Sequence, residues 1–401
     1  MAKSLLQHRA PPWSKRILNE FLEFLNSSGF ANLDWRDCVM VCVGLGFVFL
    51  AINKDMEPYE LLPIGLGVII VNLPGSGLTN FVTGSGQYQE SGILGVVFHY
   101  GLSFWNILPP VIFLGIGAMT DFGSIISNPK TLLLGAASQL GIFVAFWGAL
   151  AMGFAVPEAA SIGIIGGADG PTTIFLSAQL APGLIGVTSV IAYSYMASVA
   201  FIQPPLMKLF TTHDERSIVM RPLREVSRVE RLVFPTVAMI VIILLVPRAA
   251  PLIAMFMIGN LFKESGVVPR LSDVSSNALI NIATVFLMLT VGAQLSAERV
   301  FNSDTLVILG LGLIAFICGT TGGLLFAKFL NLFPGDKINP LIGSAGVSAV
   351  PMAARISHHI GQQSNPKNFL LPHAMGPNVA GVIGSAVIAG VFASLISAPV
   401  V

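Results

Sequence analysis

Charge is almost absent from long stretches of this sequence. Between Lys130 and Lys208 the chain carries only two charged side chains, Glu158 and Asp169. Hydrophobic residues make up 54% of the chain and charged residues only 10%, with a mean hydropathy of +0.80, whereas soluble domains contain about 25% charged residues. Since lipid cannot pair with backbone polar groups, the spanning segments are expected to be helical. The sequence therefore predicts an all-α, polytopic membrane protein.

Nine apolar windows are candidates for crossing the hydrocarbon core, which takes roughly 20 residues as a helix. They are residues 37–53, 61–73, 93–119, 131–154, 184–207, 232–249, 276–293, 305–327 and 374–398. Two further windows, 158–180 and 338–356, are interrupted by Gly and Pro, and 250–262 is short. We expect about ten or eleven membrane helices, including the two broken segments. Whether 250–262 crosses stays open.

The basic residues are few and their positions indicate an orientation. The loop 208–231 holds six of the twenty-one Lys and Arg residues, so the positive-inside rule makes this loop cytoplasmic. It is also a natural docking face for an anionic soluble partner. Residues 1–36 combine basic and apolar side chains without a signal-peptide core, which favours a cytoplasmic or interfacial segment. A net charge of +1 gives no indication of nucleic-acid binding.

An internal repeat organises the chain. The segment Ile162–Pro171 recurs as Ile342–Pro351, with identical residues at its first, second, fifth and tenth positions and an offset of 180. Nearby matches at offsets of 174 and 175 support the repeat, among them Gly117–Ala118 with Gly292–Ala293. Broken helices at matching places of two repeats are typical of transporters, which bind ions near the midplane. We favour two inverted repeats, and the inversion depends on whether 250–262 crosses.

This pattern predicts five regions. They are 1–36, the N-terminal segment; 37–91, the first membrane helices; 92–210, the first repeat with its broken segment 158–180; 211–266, the basic loop and linking helices; and 267–401, the second repeat with its broken segment 338–356.

The two broken segments carry oxygen ligands. Asp169 lies on glycine-rich backbone in an apolar stretch, where an ionisable side chain is costly and is by default functional. The second segment and the last helix contribute Asn339, Ser348 and Asn378. Oxygen donors with a single carboxylate suit a hard monovalent cation such as Na⁺. Purely structural roles also remain open, since Ser348 and Asn378 suit interhelical hydrogen bonds and Asp169 suits an ion pair with Arg355.

Several motifs resemble one known family. They are Gly166–Thr172, Tyr193–Met196, Gln203–Lys208, Asn339–Arg355 and Gly376–Gly381. Together they resemble the beta subunits of the sodium-pumping biotin-dependent decarboxylases, which include oxaloacetate, methylmalonyl-CoA, glutaconyl-CoA and malonate enzymes. The resemblance spans roughly residues 40–398, and the N-terminal forty residues have no evident part in it.

The resemblance implies an activity and partners. A carboxyltransferase subunit loads biotin on a separate carrier protein, so biotin is not attached to this chain. The beta subunit then decarboxylates the carboxybiotin, and the released energy drives Na⁺ out of the cell while a proton is consumed. A small gamma or delta membrane subunit, a trimeric beta core and a place in the inner membrane of a bacterial or archaeal cell are also implied.

The resemblance also implies residue roles. It assigns Na⁺ ligation to Asp169, Asn339, Ser348 and Asn378. It assigns catalytic or coupling roles to Asp169, Arg355, Tyr195 and Gly343, and it places Arg355 and Tyr195 on the carboxybiotin pathway.

A second function fits the same composition and repeats, namely a sodium-coupled secondary transporter of an organic anion without an enzymatic partner. A biotinylated partner would distinguish the two. The acyl substrate, the sodium stoichiometry and the oligomeric state do not follow from these residues.

Overall fold

The computed structural model describes residues 20–26, 28–54, 56–81, 91–349 and 351–396, and the described part is helical without a strand. Its helices are Trp35–Lys54 (α1), Pro58–Val71 (α2), Ile93–Phe98 (α3), Leu108–Met119 (α4), Gly123–Ser127 (α5), Lys130–Ser138 (α6), Leu140–Ala151 (α7), Val156–Gly163 (α8), Gly170–Leu180 (α9), Ile185–Phe210 (α10), His213–Arg216 (α11), Arg228–Leu245 (α12), Ala250–Ser265 (α13), Pro269–Val274 (α14), Ile280–Gly292 (α15), Ala297–Val300 (α16), Ser303–Leu330 (α17), Met352–Ser364 (α18) and Leu371–Ile396 (α19). The all-α prediction is confirmed.

Six helical stretches in the described part are long and apolar enough to cross a membrane. They are Trp35–Lys54, Lys130–Ala151, Pro182–Phe210, Pro269–Gly292, Asp304–Leu330 and Leu371–Ile396. A seventh span results if Ile93–Phe104 and Leu108–Met119, which meet at 77°, count as one bent crossing. The predicted total of ten or eleven membrane elements stays a prediction, because α2, α12 and α13 are shorter or more charged than this standard requires.

Both segments expected to be broken are indeed interrupted. A 3₁₀ turn, Ile164–Gly167, separates α8 from α9, and Ala168 between them takes a left-handed conformation (φ 51°). A second 3₁₀ turn, Pro340–Gly346, precedes α18. Gly and Pro in these segments make a continuous α-helix unfavourable, by about 1 and 3 kcal/mol each. The breaks place polar backbone groups in the middle of an apolar bundle.

The long helices α10 and α19 enclose these breaks. In each of them 61% of the apolar window is buried, the largest share among the candidate spans. Helix α10 packs on α17, whereas α19 packs on α6 and on the 3₁₀ turn Pro340–Gly346. The polar breaks are therefore covered by apolar helices on both sides.

Two helix pairs approach at backbone distance through glycine. In the first pair, Gly67 of α2 faces the Leu289 carbonyl of α15, and Gly292 faces α2 in return. In the second pair, Gly259 of α13 and Gly117 of α4 face each other's helices in the same way. A methyl group at any of these glycines would collide with backbone, so each contact needs glycine. The early helix α2 thus packs against a helix from the second half of the chain, and α13 packs against one from the first half.

Some predicted features fall outside the described residues. Residues 1–19, which carry most of the basic side chains of the predicted cytoplasmic or interfacial segment, are among them.

Candidate functional site

Asp169 lies at the N-terminus of α9 and is only 4% exposed. Its Oδ1 accepts a hydrogen bond from the backbone N–H of Thr172 at 3.2 Å, and its Oδ2 accepts one from the hydroxyl of Ser385 at 2.6 Å. The positive end of the α9 dipole adds stabilisation for a negative charge at this position. Among the described residues no Lys, Arg or His forms a salt bridge with Asp169. The sequence-based alternative of an ion pair with Arg355 is therefore absent from this conformation.

A cavity of about 380 Å³ opens onto this carboxylate. Its polar lining comes from Asp169, Ser348, Thr120, Thr284, Tyr193, Glu57 and Glu60. The apolar wall is formed by side chains such as Ile112, Ile116, Met196 and Met288. Volumes of this size belong to the range of small-ligand pockets. The cavity is thus polar at Asp169 and apolar around it.

The two broken segments meet beside the cavity. The backbone N–H of Ser348 donates a hydrogen bond to the Gly167 carbonyl at 3.0 Å. Gly166 packs against the backbone of Gly141, where a Cβ atom would come within 2.5 Å of the Gly141 carbonyl carbon. The structure therefore brings Ser348 and Asp169, which lie far apart in sequence, to the same cavity.

Several buried oxygens around this junction have no hydrogen-bond partner among the described residues. They are Thr172 Oγ1, Ser348 Oγ, Asn378 Oδ1, Gln139 Oε1 and the Tyr193 hydroxyl. Asn378 is oriented by its amide nitrogen, which donates to the carbonyls of Ala345 and Val347 at 2.9 and 2.8 Å. An unsatisfied buried polar atom costs about 1–3 kcal/mol. Unpaired oxygens of this kind indicate that the junction binds a polar or charged ligand.

Asn339 lies elsewhere. Its amide nitrogen donates to the carbonyls of Arg216 and Ile218 at 2.8 and 2.9 Å, and its Oδ1 accepts the N–H of Leu341 at 3.1 Å. Every polar group of this side chain is thus occupied in capping the 3₁₀ turn and fastening it to the loop after α10. The structure does not bring Asn339 to the cavity.

Gly343 is a packing position in this structure. Its Cα faces the Gly323 carbonyl of α17 so closely that a side chain has no room, and its own carbonyl accepts a hydrogen bond from the Ser138 hydroxyl at 3.2 Å. The contact holds the second broken segment against α17.

Tyr195 and Arg355 also lie away from the cavity lining. The Tyr195 hydroxyl donates to the Leu309 carbonyl, and its ring packs against Gly312 of α17. The Arg355 side chain is exposed at the start of α18, one turn after Pro351, which does line the cavity. Arg355 therefore lies beside the cavity lining and not in it.

Sequence reasoning missed three ionisable groups of the cavity, Glu57, Glu60 and Tyr193. Both glutamates precede or begin α2, where acidic residues are ordinary complements to the helix dipole, so their position gave no functional signal. For Tyr193 the sequence favours a packing role. The structure shows it 1% exposed, and its ring contacts Gly170, beside Asp169, too closely for any side chain at that position.

The donor set suits one kind of ion. No group of three His, Cys, Asp or Glu side chains within the described ranges converges as a metal site, which disfavours a tightly held transition metal. One carboxylate with neutral hydroxyl and amide oxygens suits a weakly held hard cation.

Comparisons with known proteins agree with this chemistry. The family described as Na⁺-transporting oxaloacetate decarboxylase beta subunit matches residues 36–396. The chain is 55% identical over 373 residues to the methylmalonyl-CoA decarboxylase subunit beta of Veillonella parvula, covering 93% of this chain and 96% of that protein. It is 54% identical over 372 residues to the glutaconyl-CoA decarboxylase subunit beta of Acidaminococcus fermentans, with coverages of 93% and 96%. It is 48% identical over 415 residues to the oxaloacetate decarboxylase beta chain of Klebsiella pneumoniae, with coverages of 90% and 96%.

These matches confirm the predicted family. They support the decarboxylase function and not the alternative, a secondary transporter without an enzymatic partner. A family match over residues 36–396 and identities of 48–55% over nine-tenths of the chain show that the chain belongs to the beta subunits of the Na⁺-transporting decarboxylases, the membrane subunits in which decarboxylation is coupled to sodium transport.

Proposed function

We propose that the Asp169 cavity is the place where carboxybiotin loses CO₂ and where Na⁺ exchanges for a proton. The observation that carries this proposal is the Asp169 carboxylate itself, 4% exposed, free of any salt bridge within the described chain, and open to a cavity of about 380 Å³. A buried carboxylate without a counter-ion is stable when it holds either a proton or a cation. Asp169 therefore alternates between the two.

Sodium is bound by Asp169 together with Thr172, Ser348 and Asn378. Each neutral residue offers a buried oxygen that lacks a partner, and Asn378 and Ser348 reach the junction from α19 and from the second broken segment. Asn339 positions Ser348, because its side chain caps the 3₁₀ turn that leads to Ser348. Removing any of these oxygens is expected to raise the sodium requirement.

Carboxybiotin approaches from the side of the loop 208–231, and Arg355 receives its carboxylate. The support is chemical, because an exposed guanidinium at the cavity edge offers two parallel donors to a carboxylate. Tyr195 and Gly343 have positioning roles in this pathway. Tyr195 fixes α10 against α17, and Gly343 fixes the second broken segment against the same helix.

Two inverted repeats of about five crossings each account for the architecture. The glycine contacts suggest that each repeat is longer than the sequence indicated. Helix α2 packs through glycine on α15 of the second repeat, and α13 packs through glycine on α4 of the first repeat, so α2 and α13 have equivalent positions. Regions 37–91 and 211–266 then belong to the units, and an odd number of crossings turns the second unit upside down. Five crossings before the basic loop also place the start of α1 on the side opposite that loop, whereas the sequence favoured a cytoplasmic or interfacial segment for residues 1–36. On this proposal 250–262 crosses the membrane, and ten spans together with the two broken segments exceed by one or two the ten or eleven elements expected from the sequence.

Labelling tests the inversion. In a background without Cys38, Cys42 and Cys318, Met152→Cys and Leu332→Cys place thiols at exposed, corresponding loops. An impermeant maleimide is expected to modify Leu332→Cys from the cytoplasm, on the side of the basic loop, and Met152→Cys from outside. Labelling of both positions from one side contradicts the inversion.

The chain works as one subunit of a complex in the inner membrane of a bacterial or archaeal cell. The partners are a carboxyltransferase that selects the acyl substrate, a biotin carrier protein and a small gamma or delta membrane subunit, and three beta subunits form the core. The identity to beta subunits of methylmalonyl-CoA, glutaconyl-CoA and oxaloacetate decarboxylases supports this assembly.

Asp169→Asn tests the site in proteoliposomes that contain the complete complex. The variant is expected to lose carboxybiotin decarboxylation and ²²Na⁺ uptake together, since the amide can neither hold the proton nor balance the ion. Glu158→Gln is the matched control, because Glu158 is the other charge in the same apolar stretch and only caps α8. An Asp169→Asn complex that retains sodium-dependent turnover refutes the proposal.

A further inference from the structure

The membrane span Lys130–Ala151 is interrupted at Gln139. Helix α6 ends one residue before Gln139, and α7 begins one residue after it. The N–H of Gln139 donates to the Ala136 carbonyl at 3.1 Å, and the N–H of Ile142 donates to the Gln139 carbonyl at 2.9 Å. Both bonds join residues three apart, as in a 3₁₀ turn, and such a change inside a helix often marks a functional hinge.

The Gln139 amide is held in one orientation. Its Nε2 donates to the carbonyls of Gly135 at 3.1 Å and of Gly381 at 3.4 Å. The reverse orientation would point the amide oxygen at these two carbonyl oxygens, so the surroundings decide where the oxygen lies. Oε1 is left buried and without a hydrogen-bond donor within the described residues, on a side chain that is 3% exposed. An oxygen of this kind is costly unless a donor or a cation reaches it.

Gln139 Oε1 lies against the first broken segment. A Cβ atom at Gly167 would lie 3.6 Å from this oxygen, and one at Gly384 of α19 would lie 3.2 Å from the Gln139 Cδ. The residue after Gly384 is Ser385, whose hydroxyl donates to the Asp169 carboxylate at 2.6 Å. The Gln139 amide is thus packed between the two elements that hold the Asp169 carboxylate.

Gln139 reaches this junction from the side away from the cavity. The cavity lining comes from α2, α4, α9, α10, α15, α19 and the second broken segment, and in the described chain no residue of α6 or α7 is part of it. Thr120 of the lining is next to Asp121, which accepts a hydrogen bond from Arg231 of the basic loop at 3.1 Å. The cavity therefore extends toward that loop. Release of an ion to the opposite side of the membrane needs a route that leaves the junction elsewhere.

We propose that Gln139 Oε1 takes sodium from the Asp169 junction on the side away from the cavity, so that the ion leaves past Gln139. This inference rests on the proposed sodium site at Asp169 and adds the ligand that receives the ion on release. An amide oxygen is a hard ligand suited to Na⁺. Because it carries no net charge, it binds the ion weakly enough to pass it on.

Proteoliposomes that contain the complete complex test this route, with substrate added outside so that only complexes with the basic loop outward turn over. The half-saturating outer Na⁺ concentration reports on entry from the cavity, and the inner Na⁺ concentration that halves turnover reports on binding from the release side. Gln139→Met keeps the length of the side chain and removes the amide. It is expected to raise the inhibiting inner concentration about tenfold, which corresponds to about 1.4 kcal/mol, and to change the outer value by less than about twofold.

Gln203→Met is the matched control. The Gln203 amide also donates to a backbone carbonyl, that of Ser344 at 2.9 Å, and its Oε1 is also buried and unpaired within the described chain. Gln203 packs on the second 3₁₀ turn and does not line the cavity. Both Na⁺ concentrations should therefore equal those of wild type.

Gly384→Ala is a second variant that retains the Gln139 amide. Outside its own helix, the three atoms nearest to the added methyl group all belong to the Gln139 side chain, at 3.2–3.3 Å. The change therefore displaces the amide without removing it, and a smaller rise in the inhibiting inner concentration is expected. Gly310→Ala, which has no such neighbour within 4 Å, should not produce the rise. Gly384→Ala decides the question if Gln139→Met does not assemble.

Three results overturn the inference. Equal rises of the inner and outer concentrations in Gln139→Met would place Gln139 on the entry side. A rise as large in Gln203→Met would reflect loss of a buried amide in general. Unchanged concentrations in Gln139→Met and Gly384→Ala would leave Oε1 with a buried water in place of an ion. None of these results alters the loss of turnover expected for Asp169→Asn, so failure of this inference is distinguishable from failure of the exchange at Asp169.

Discussion

The Ser385 hydroxyl donates a 2.6 Å hydrogen bond to the Asp169 carboxylate, joining α19 to the first broken segment. Ser385 is fully buried, and Asn378 lies two turns earlier on the same helix. Helix α19 therefore contacts both broken segments, since Ser385 bonds to Asp169 and Asn378 donates to the carbonyls of Ala345 and Val347.

Ser385→Ala is expected to raise the half-saturating Na⁺ concentration for turnover about tenfold at neutral pH. A hydrogen bond to a charged group contributes about 1.5–3 kcal/mol, and its loss favours the protonated acid over the ionised form that binds sodium. Ser394→Ala is the control, because its hydroxyl bonds only to the Gly390 carbonyl of the same helix. Equal sodium requirements in the two variants would argue against the role of Ser385.

Ser348→Ala is expected to weaken sodium activation with little change in thermal stability. The hydroxyl has no hydrogen-bond partner in the described part of the chain, so its removal breaks no bond seen there. Ser344→Ala is the opposite case, since that hydroxyl bonds to the Leu341 carbonyl and to Ser357 at 2.7 and 3.1 Å. It should cost about 1–2 kcal/mol of stability and leave the sodium requirement unchanged. Thermal melting and sodium titration of both purified complexes separate these outcomes.

Gly343→Ala is expected to destabilise the complex, because the added methyl group meets the Gly323 backbone. Overpacking of this kind costs about 1–3 kcal/mol. Gly310→Ala on α17, where no atom outside the adjoining part of its own helix lies within 4 Å of the added methyl, should instead be neutral or slightly stabilising. Decarboxylation by Gly343→Ala should fall in step with the melting temperature. A complex that melts like wild type yet is inactive would indicate a direct chemical role for Gly343.

Glu215 gives the loop after α10 a pH-dependent attachment. Its partial burial raises the pKa, but hydrogen bonds from Thr212 and Lys328 outweigh burial and lower the pKa below 4.5, and the Lys328 ammonium lies 3.1 Å away. A lowered pKa in the folded protein means that the stabilisation is present above pH 4.5 and is lost as the pH falls through the folded value.

Glu215→Gln should therefore make this loop more sensitive to protease at pH 7, and the difference from wild type should vanish in acid below the folded pKa. Asp214→Asn, a neighbouring change without such a partner among the described residues, is the control. Sensitivity that is equal at pH 7 in wild type and Glu215→Gln would show that the ion pair does not hold the loop.

The sequence predicted the chemistry of the site better than its geometry. Asp169 and the two broken segments follow from charge scarcity and from the internal repeat, since an isolated carboxylate in an apolar stretch is too costly to keep without a function. Ser348 and Asn378 were predicted as ligands, and both reach the junction with a free oxygen. Their role in sodium binding stays a prediction.

Tyr195 and Tyr193 show a point of geometry that the sequence alone does not decide. Two residues apart on a helix, they point about 200° apart, so only one of them can face the cavity, and packing against α17 decides which. In the same way, Asn339 is near Ser348 in sequence, but the 3₁₀ turn between them directs it toward the basic loop. The three-dimensional path of a broken segment does not follow from its composition.

The crossed glycine contacts have a consequence for biosynthesis. Helix α2 leaves the ribosome more than two hundred residues before α15. In the folded protein, Gly67 of α2 packs directly on the backbone of α15. Until translation has passed residue 292, that glycine face meets only lipid or the insertion machinery. The first half of the chain is thus an incomplete folding unit, and a prematurely terminated product presents an unpaired helix that membrane quality control can recognise.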